Sequence, residues 1–534
     1  MTPTLERPNR LPEATSRTCV GRRAAPVLVL GLCLLGLAAC VGDPFRAGGA
    51  VLDDASAPLP DASKPGSGDD SGGATIDGGS GDATTSDVLQ LEAGADADTG
   101  APLPRAVADA VFARRYGETD DQTLLALALD TQDAIHLAGN LAGTVEFGGA
   151  PVTSAGKRDA FFAKLTSNGA HVWTRTFGDA EEQTGTSIAV DGAGQVFVGG
   201  GYTGLIDLSV AAYNNNSTAY DGFIALLDGD GVLRDHKVVT GGGPQLLRTI
   251  SGHPTKGARF AIEAAGDFVI DGPTEYRTRG VDVVFGSAFG NQTARLDHYA
   301  EDLDQRVLGL AHDPSANVYV TGSFEGALQF GLAPSRMQSN GATDVFVVKF
   351  DSLTRHQWSR SFGNATTQSG TAVAADGTNG VYVGGEFTGT IAFDGTTLTS
   401  RGGTDVFLLK LDAAGAVVFA RGFGSTGDDT LGAVTVGSGG VAIAGSFDGA
   451  IDFGAGAMPS VGGRNAYVAK FGPSGAHVAS FVFGDGDSRA VAAAFDKTGK
   501  LVVGGSFKNR LVFSTGTLTS KGGDDVFVAK LTLP

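Results

Sequence analysis

The sequence predicts an all-β fold: a seven-bladed β-propeller of four-stranded blades, closed by an N-terminal strand that pairs with the C-terminal blade. Three observations predict it. First, one segment recurs seven times, headed by Asp159 ("DAFFAKL"), Asp221 ("DGFIALL"), Asp282 ("DVVFGSAF"), Asp344 ("DVFVVKF"), Asp405 ("DVFLLKL"), Asn465 ("NAYVAKF") and Asp525 ("DVFVAKL"), at steps of 62, 61, 62, 61, 60 and 60 residues. A near-constant period of that length marks a repeat architecture. Second, each period holds short runs rich in β-branched, aromatic and small apolar residues, bounded by Gly, Asp and Asn turns, with no long helical periodicity. Third, the last period lacks its final strand, and the start of the folded region supplies a match: "VFARRYG" from Val111 resembles "VFARGFG" from Val418.

The elements follow in chain order. Arg22 and Arg23 precede an apolar run, Ala24 to Cys40, which is short for a membrane span and reads as a secretory signal over residues 1–39. Its end, Leu37-Ala38-Ala39-Cys40, resembles the bacterial lipobox. That resemblance implies cleavage before Cys40 and lipidation of its thiol, hence membrane attachment at Cys40. The other two cysteines, Cys19 and Cys33, leave with the signal, so no disulfide framework is expected. Residues 40–104 hold the lipidated Cys and an acidic Gly/Ser/Asp/Ala linker, too poor in apolar residues to bury a core. The match of "DDSGG", Asp69 to Gly73, to the loop around a nucleophilic serine is a chance one in such a segment.

Residues 105–534 form the predicted propeller. From the axis outward the second blade reads A ("TSIAVD"), B ("QVFVGGGY"), C ("DGFIALL") and D ("VLRDHKVV"). Val111–Tyr116 is expected to pair with Asp525–Leu531 and close the ring. Between Gly241 and Ala300 the signature fades while the spacing holds, so a diverged third blade is expected, not a missing one. These motifs resemble the bacterial SBBP-type β-propeller repeat of secreted and lipoprotein-type proteins. The resemblance covers nearly all of Ala110 to Pro534 and implies the same seven-bladed fold, with no catalytic residue set attached.

The charge and motifs narrow the function. The formal net charge is −19, which argues against a nucleic-acid partner. No CxxC, HExxH or Ser/His/Asp arrangement is visible, and no catalytic constellation is assigned. His171, His356 and His477 stand at the starts of outer strands on three separate blades and cannot converge on a metal. Trp173 and Trp358 fall in D strands, away from the channel mouth. The recurrent Asp heading each C strand is expected to accept backbone amides, and the lysines five residues later (Lys164, Lys349, Lys410, Lys470, Lys530) to be solvated or edge-capping. Asp228-Gly229-Asp230-Gly231 lacks the distal Glu of a calcium loop and is read as a turn.

One constellation stands out. The D-to-A loops share a face near the axis and carry Glu118, Asp120, Asp121, Asp179, Glu181, Glu182, Glu301, Asp302, Asp304, Asp428, Asp429, Asp485 and Asp487. They suggest an acidic mouth, suited to a cationic partner or to Ca²⁺, against the alternative of plain loop solvation. The expected function is a monomeric, lipid-anchored binding module of the bacterial envelope, an outer-membrane lipoprotein, without a cofactor unless Ca²⁺ binds. It would present its loop face to a protein, glycan or cation. The alternatives are a polymer-degrading hydrolase or lyase, or a purely structural envelope protein.

Overall fold

The computed structural model describes residues 107–534, except 209–211, 256, 271–274, 279–280, 289–295, 300–302, 332–335, 379 and 438. The signal, Cys40 and the linker lie outside the described residues, as do Glu301 and Asp302.

All the described elements are strands or turns, and seven antiparallel four-stranded units recur in the order A-B-C-D. Blade 1 is typical: A Gln122–Leu129, B Ile135–Leu141, C Asp159–Leu165, D His171–Phe177. The A strands form the inner ring, each touching the A strands of its two neighbours, with Ser488–Phe495 of blade 7 touching Gln122–Leu129 of blade 1. Blade 7 is completed as the sequence predicts. Ala110–Tyr116 pairs antiparallel with Asp525–Leu531, with Ala113 opposite Ala529 and Tyr116 opposite Val526. A closed ring leaves no open inner edge.

The core lies between blades. Ala126 and Phe162 of blade 1 pack with Ile188, Val198, Tyr202 and Phe223 of blade 2, and such slabs recur around the ring. The faded third blade keeps its four strands, Gln245–Gly252, Ala258–Ala265, Val281–Ala288 and Leu296–Tyr299. Each blade also carries a short B-to-C hairpin that the four-strand reading missed. In blade 3 the hairpin strand Phe268–Ile270 adds to the outer edge of blade 2, opposite Val239–Gly241.

The repeat letters have physical reasons. The C-strand aspartates accept backbone amides from four residues upstream, as expected: Ala155 N to Asp159, Arg401 N to Asp405 and Lys521 N to Asp525, all at 3.0 Å. In three "FG" pairs the glycine lies against that carboxyl: a Cβ at Gly178, Gly363 or Gly424 would overlap Asp159, Asp344 or Asp405. The D strands latch blade to blade. Trp173 Nε1 donates to Gly229 O at 3.1 Å and Arg175 Nε to Gly231 O at 2.7 Å, with Gly231 (φ 75°) beneath the indole. Trp358 and Arg360 repeat this on Ala413 and Gly415. So Asp228-Gly229-Asp230-Gly231 is a turn, its Asp228 Oδ1 accepting from the amides of Asp230 and Val232.

The lysines depart from expectation. They are not solvated edge caps. Lys349, Lys470 and Lys530 are buried, and Lys164, Lys410 and Lys530 reach inward to the A-to-B turn aspartates Asp130, Asp376 and Asp496 at 3.1, 3.2 and 2.6 Å. Each aspartate spends one oxygen on turn amides and the other on the lysine, so the pair ties strand C to the end of strand A.

Candidate functional site

Every A strand carries a bulge in its pairing with strand B, at Leu125, Thr186, Arg248, Leu308, Thr371, Gly432 and Val491. A bulge re-aims its extra residue. Five of these seven, Leu125, Leu308, Thr371, Gly432 and Val491, line a cavity of about 500 Å³ at the centre of the ring. The rest of its wall comes from the starts of A strands, the ends of B strands and the residues just before C strands. This is the face that the D-to-A and B-to-C loops share.

Three repeat positions build the wall. The repeat position at the start of strand A, second in four blades and first in blade 6, gives Thr123, Arg306, Ser369, Thr430 and Arg489; its partner on strand B gives Asn140, Ser323, Glu386 and Ser446. The residue before strand C gives Arg158, Thr343 and Arg464. Asp304, Glu325 and Thr367 complete the rim. Among the described residues no aromatic side chain and no histidine line this vestibule. Its hydroxyl, amide, guanidinium and carboxylate groups suit a small polar ligand held by hydrogen bonds and charge.

The eleven predicted acidic residues that are described lie on this face, and most are engaged with the protein itself. Glu118 pairs with Lys521 at 2.7 Å, Glu181 with Lys157 at 2.7 Å, and Glu182 with Arg158 at 2.7 Å. Asp485 Oδ2 accepts from Arg510 Nε at 2.8 Å. Asp179 accepts the amides of Glu181 and Leu205, Asp121 that of Asp524, Asp304 that of Val281, Asp428 that of Thr404 and Asp487 that of Arg464. Asp120 packs beside Gly143. Asp429 is fully buried at the blade 5–6 junction; burial pushes its carboxyl up to about 7, helped by Asp405 nearby, itself raised to about 6 by burial. Of the eleven that are described, Asp304 alone lines the vestibule, whose wall also carries four arginines. Among the described residues no group of three or more His, Cys, Asp or Glu side chains is placed to hold a metal.

The arginines escaped the sequence reading because a charge count over the loops passes over single cations at strand starts. A signal was present: aligning the seven periods shows Arg158 and Arg464 at a position occupied elsewhere by Tyr220, Thr343, Thr404 and Asp524.

His171, His356 and His477 begin separate D strands, as expected. On the opposite face from the vestibule, Ser251 Oγ meets His312 Nδ1 at 2.9 Å, with the His253 ring 5.5 Å away. His312 is buried, and burial pushes its imidazole down to about 3, with the charge of His253 adding to it. Ser251 is 1% exposed, which gives a substrate no access to its hydroxyl.

No family model matches the chain, and no curated protein matches it. Among solved structures, the crystal structure of Sqt1 from Chaetomium thermophilum is similar at 9% identity with a TM-score of 0.29, covering 67% of this chain and 98% of that one.

Proposed function

We propose that this chain is a binding module of the bacterial cell envelope, lipid-anchored at Cys40, spaced from the outer membrane by residues 40–104, with the central vestibule as its ligand seat. One observation carries the reading. The seven periods act as an alignment within the chain. Positions that hold the fold largely keep their letters: Asp heads six of the seven C strands, with Asn465 in the other, and Gln stands at five of the seven A-strand starts, with Asp429 and Ser488 in the others. The vestibule positions do not. The repeat position at the start of strand A runs Thr123, Thr184, Leu246, Arg306, Ser369, Thr430, Arg489. Thr184 and Leu246 lie outside the cavity lining, which blades 1, 4, 5, 6 and 7 supply. Scaffolding does not ask for the mixture of hydroxyls and guanidinium groups on those five blades, whereas recognition of one ligand by unlike blades does. The surrounding carboxylates fix the loops and neutralise neighbouring cations, so the ligand seat is the vestibule, not an acidic surface.

The test is a plug. Ser369 lines the cavity, and Ser369→Trp would obstruct it. Native and plugged chains are titrated with a panel of envelope-derived saccharides and peptides. Binding by the native chain that the plug abolishes supports the reading. Equal binding by both places the site elsewhere.

A further inference from the structure

The vestibule wall is divided by charge. Blades 6, 7 and 1 contribute Arg464, Arg489 and Arg158. Blades 4 and 5 contribute Asp304, Glu325 and Glu386, together with Arg306. Most of these groups have protein partners. Arg489 donates to Asp524 at 2.7 Å, Arg158 to Glu182, and Glu386 accepts from the Leu431 amide at 3.1 Å. Arg464 and Glu325 differ: among the described residues neither side chain has an ion-pair or hydrogen-bond partner. Both are partly buried, and they stand on blades 4 and 6, with blade 5 between them. Leaving a half-desolvated charge unpaired costs free energy that a complementary ligand charge would offset. Between the two stand Ser369, Thr430 and Ser446, of which the last two bond each other at 2.7 Å.

We infer that the vestibule binds a small hydroxylated zwitterion, its carboxylate against Arg464, its ammonium against Glu325, and its hydroxyls among Ser369, Thr430 and Ser446. The Ser488 amide donates to Arg464 O at 3.0 Å, so the start of the blade 7 A strand flanks the carboxylate end, where Arg489 is held by Asp524. Guanidinium takes a carboxylate through two parallel hydrogen bonds, which fixes orientation as well as charge. A cavity of about 500 Å³ holds a ligand of one or two sugar rings. Among the described residues the wall has no aromatic side chain, which disfavours a plain neutral sugar, left with little but hydroxyl contacts to use.

This inference rests on the vestibule being the ligand seat, and its test separates the two. Isothermal titration of the full chain uses three matched probes. Muramic acid carries both charges, glucosamine lacks the carboxylate, and N-acetylmuramic acid lacks the ammonium. Muramic acid is expected to bind at least about tenfold more tightly than either comparator, the worth of one charge-assisted hydrogen bond. Arg464→Gln should erase its advantage over glucosamine, and Glu325→Gln its advantage over N-acetylmuramic acid. Ser369→Trp should abolish all binding. Equal affinity for the three probes, or no change in preference in either charge variant, overturns the zwitterion while the plug result still judges the vestibule. Binding that survives the plug overturns both. Absence of muramic acid binding at millimolar concentration overturns the zwitterion as stated.

Discussion

Asp429 is a carboxylate in a place built for an amide. Five residues after the "FG" glycine, three blades carry Gln122, Gln183 and Gln368. Gln122 Oε1 accepts the Glu118 amide at 3.0 Å while Nε2 donates to Ala142 O at 2.8 Å; Gln183 does the same with Asp179 and Thr203 at 3.1 and 2.9 Å. Blade 6 has Asp429, whose Oδ2 accepts the Ser425 amide at 2.7 Å, and the Ser425 hydroxyl takes over the donation to Asp448 O. The carboxyl is fully buried and near Asp405, so it holds its proton to about pH 7. The sign follows from linkage. The unfolded chain releases this proton near the ordinary carboxylate value, the folded chain near 7, so the folded state binds more protons in between. The contribution is fully present below about pH 4 and is lost as pH rises through 7. Three pKa units correspond to about 4 kcal/mol, which we halve because Asp405 shares the titration and the loop can relax toward water. Asp429→Asn keeps the acceptor and removes the charge. At about 2 kcal/mol, in a propeller of this size, it should raise Tm by roughly 2 °C at pH 8 and by less than half of that at pH 5. Thermal unfolding followed by circular dichroism at pH 5, 6, 7 and 8 reads the difference between variant and native chain. The difference cancels the other carboxylates that titrate in the same range. A Tm difference independent of pH would refute the reasoning.

Three further outcomes are expected. His312, held neutral by burial with its pKa pushed down to about 3, contributes stability present above the unfolded value near 6.5 and lost as pH falls; His312→Gln should therefore flatten the acid limb of the Tm profile between pH 6 and 4, and an unchanged limb would count against it. Gly178→Ala sets a methyl group against the buried Asp159 carboxyl and should cost about 1–3 kcal/mol in denaturant unfolding; a neutral result would remove the carboxyl contact as the reason for the "FG" glycine. Paired cysteines at Ala113 and Ala529, opposite each other across the closing strands, should form a disulfide on oxidation, whereas cysteines at Ala113 and Val528 should not, because neighbouring residues point to opposite faces; efficient crosslinking of the second pair would mean that the register is wrong.

The blade count, the strand order and the closing strand were legible because each rests on local letters repeated at a fixed step. "DVFVAKL" reads as a strand wherever it falls, and its recurrence seven times carries the topology. The short outer hairpins were not legible. Val152–Thr153 and Glu275–Tyr276 are only two residues long and too short to leave a periodic signal. The buried lysines were misjudged for a related reason. Lys530 is followed by Leu531 at a strand end, where an exposed position would be ordinary, and its inward path depends on Asp496, thirty-four residues earlier. Long-range pairing of this kind is invisible to a reading that takes one segment at a time.

The acidic residues of the mouth show how loop construction draws charge. Negative residues gather in the D-to-A loops because tight loops need acceptors for backbone amides, and Asp supplies them. Asp179 alone takes two, from Glu181 and Leu205. The cations that answer Glu118, Glu181 and Asp485 come from Lys521, Lys157 and Arg510 in the neighbouring B-to-C region, twenty or more residues away in sequence. Density of charge in the sequence therefore tracked loop construction. What distinguishes a ligand seat in a repeat protein is different: a position that points into the channel, that the fold leaves free, and that differs from blade to blade. Arg464 meets all three conditions, since Asn465 beside it keeps the capping role, Asp524 fills the same position one blade on, and no partner among the described residues claims its charge. The scaffold letters explain why there are seven blades, and the letters that break the repeat are where selectivity for a ligand has room to reside.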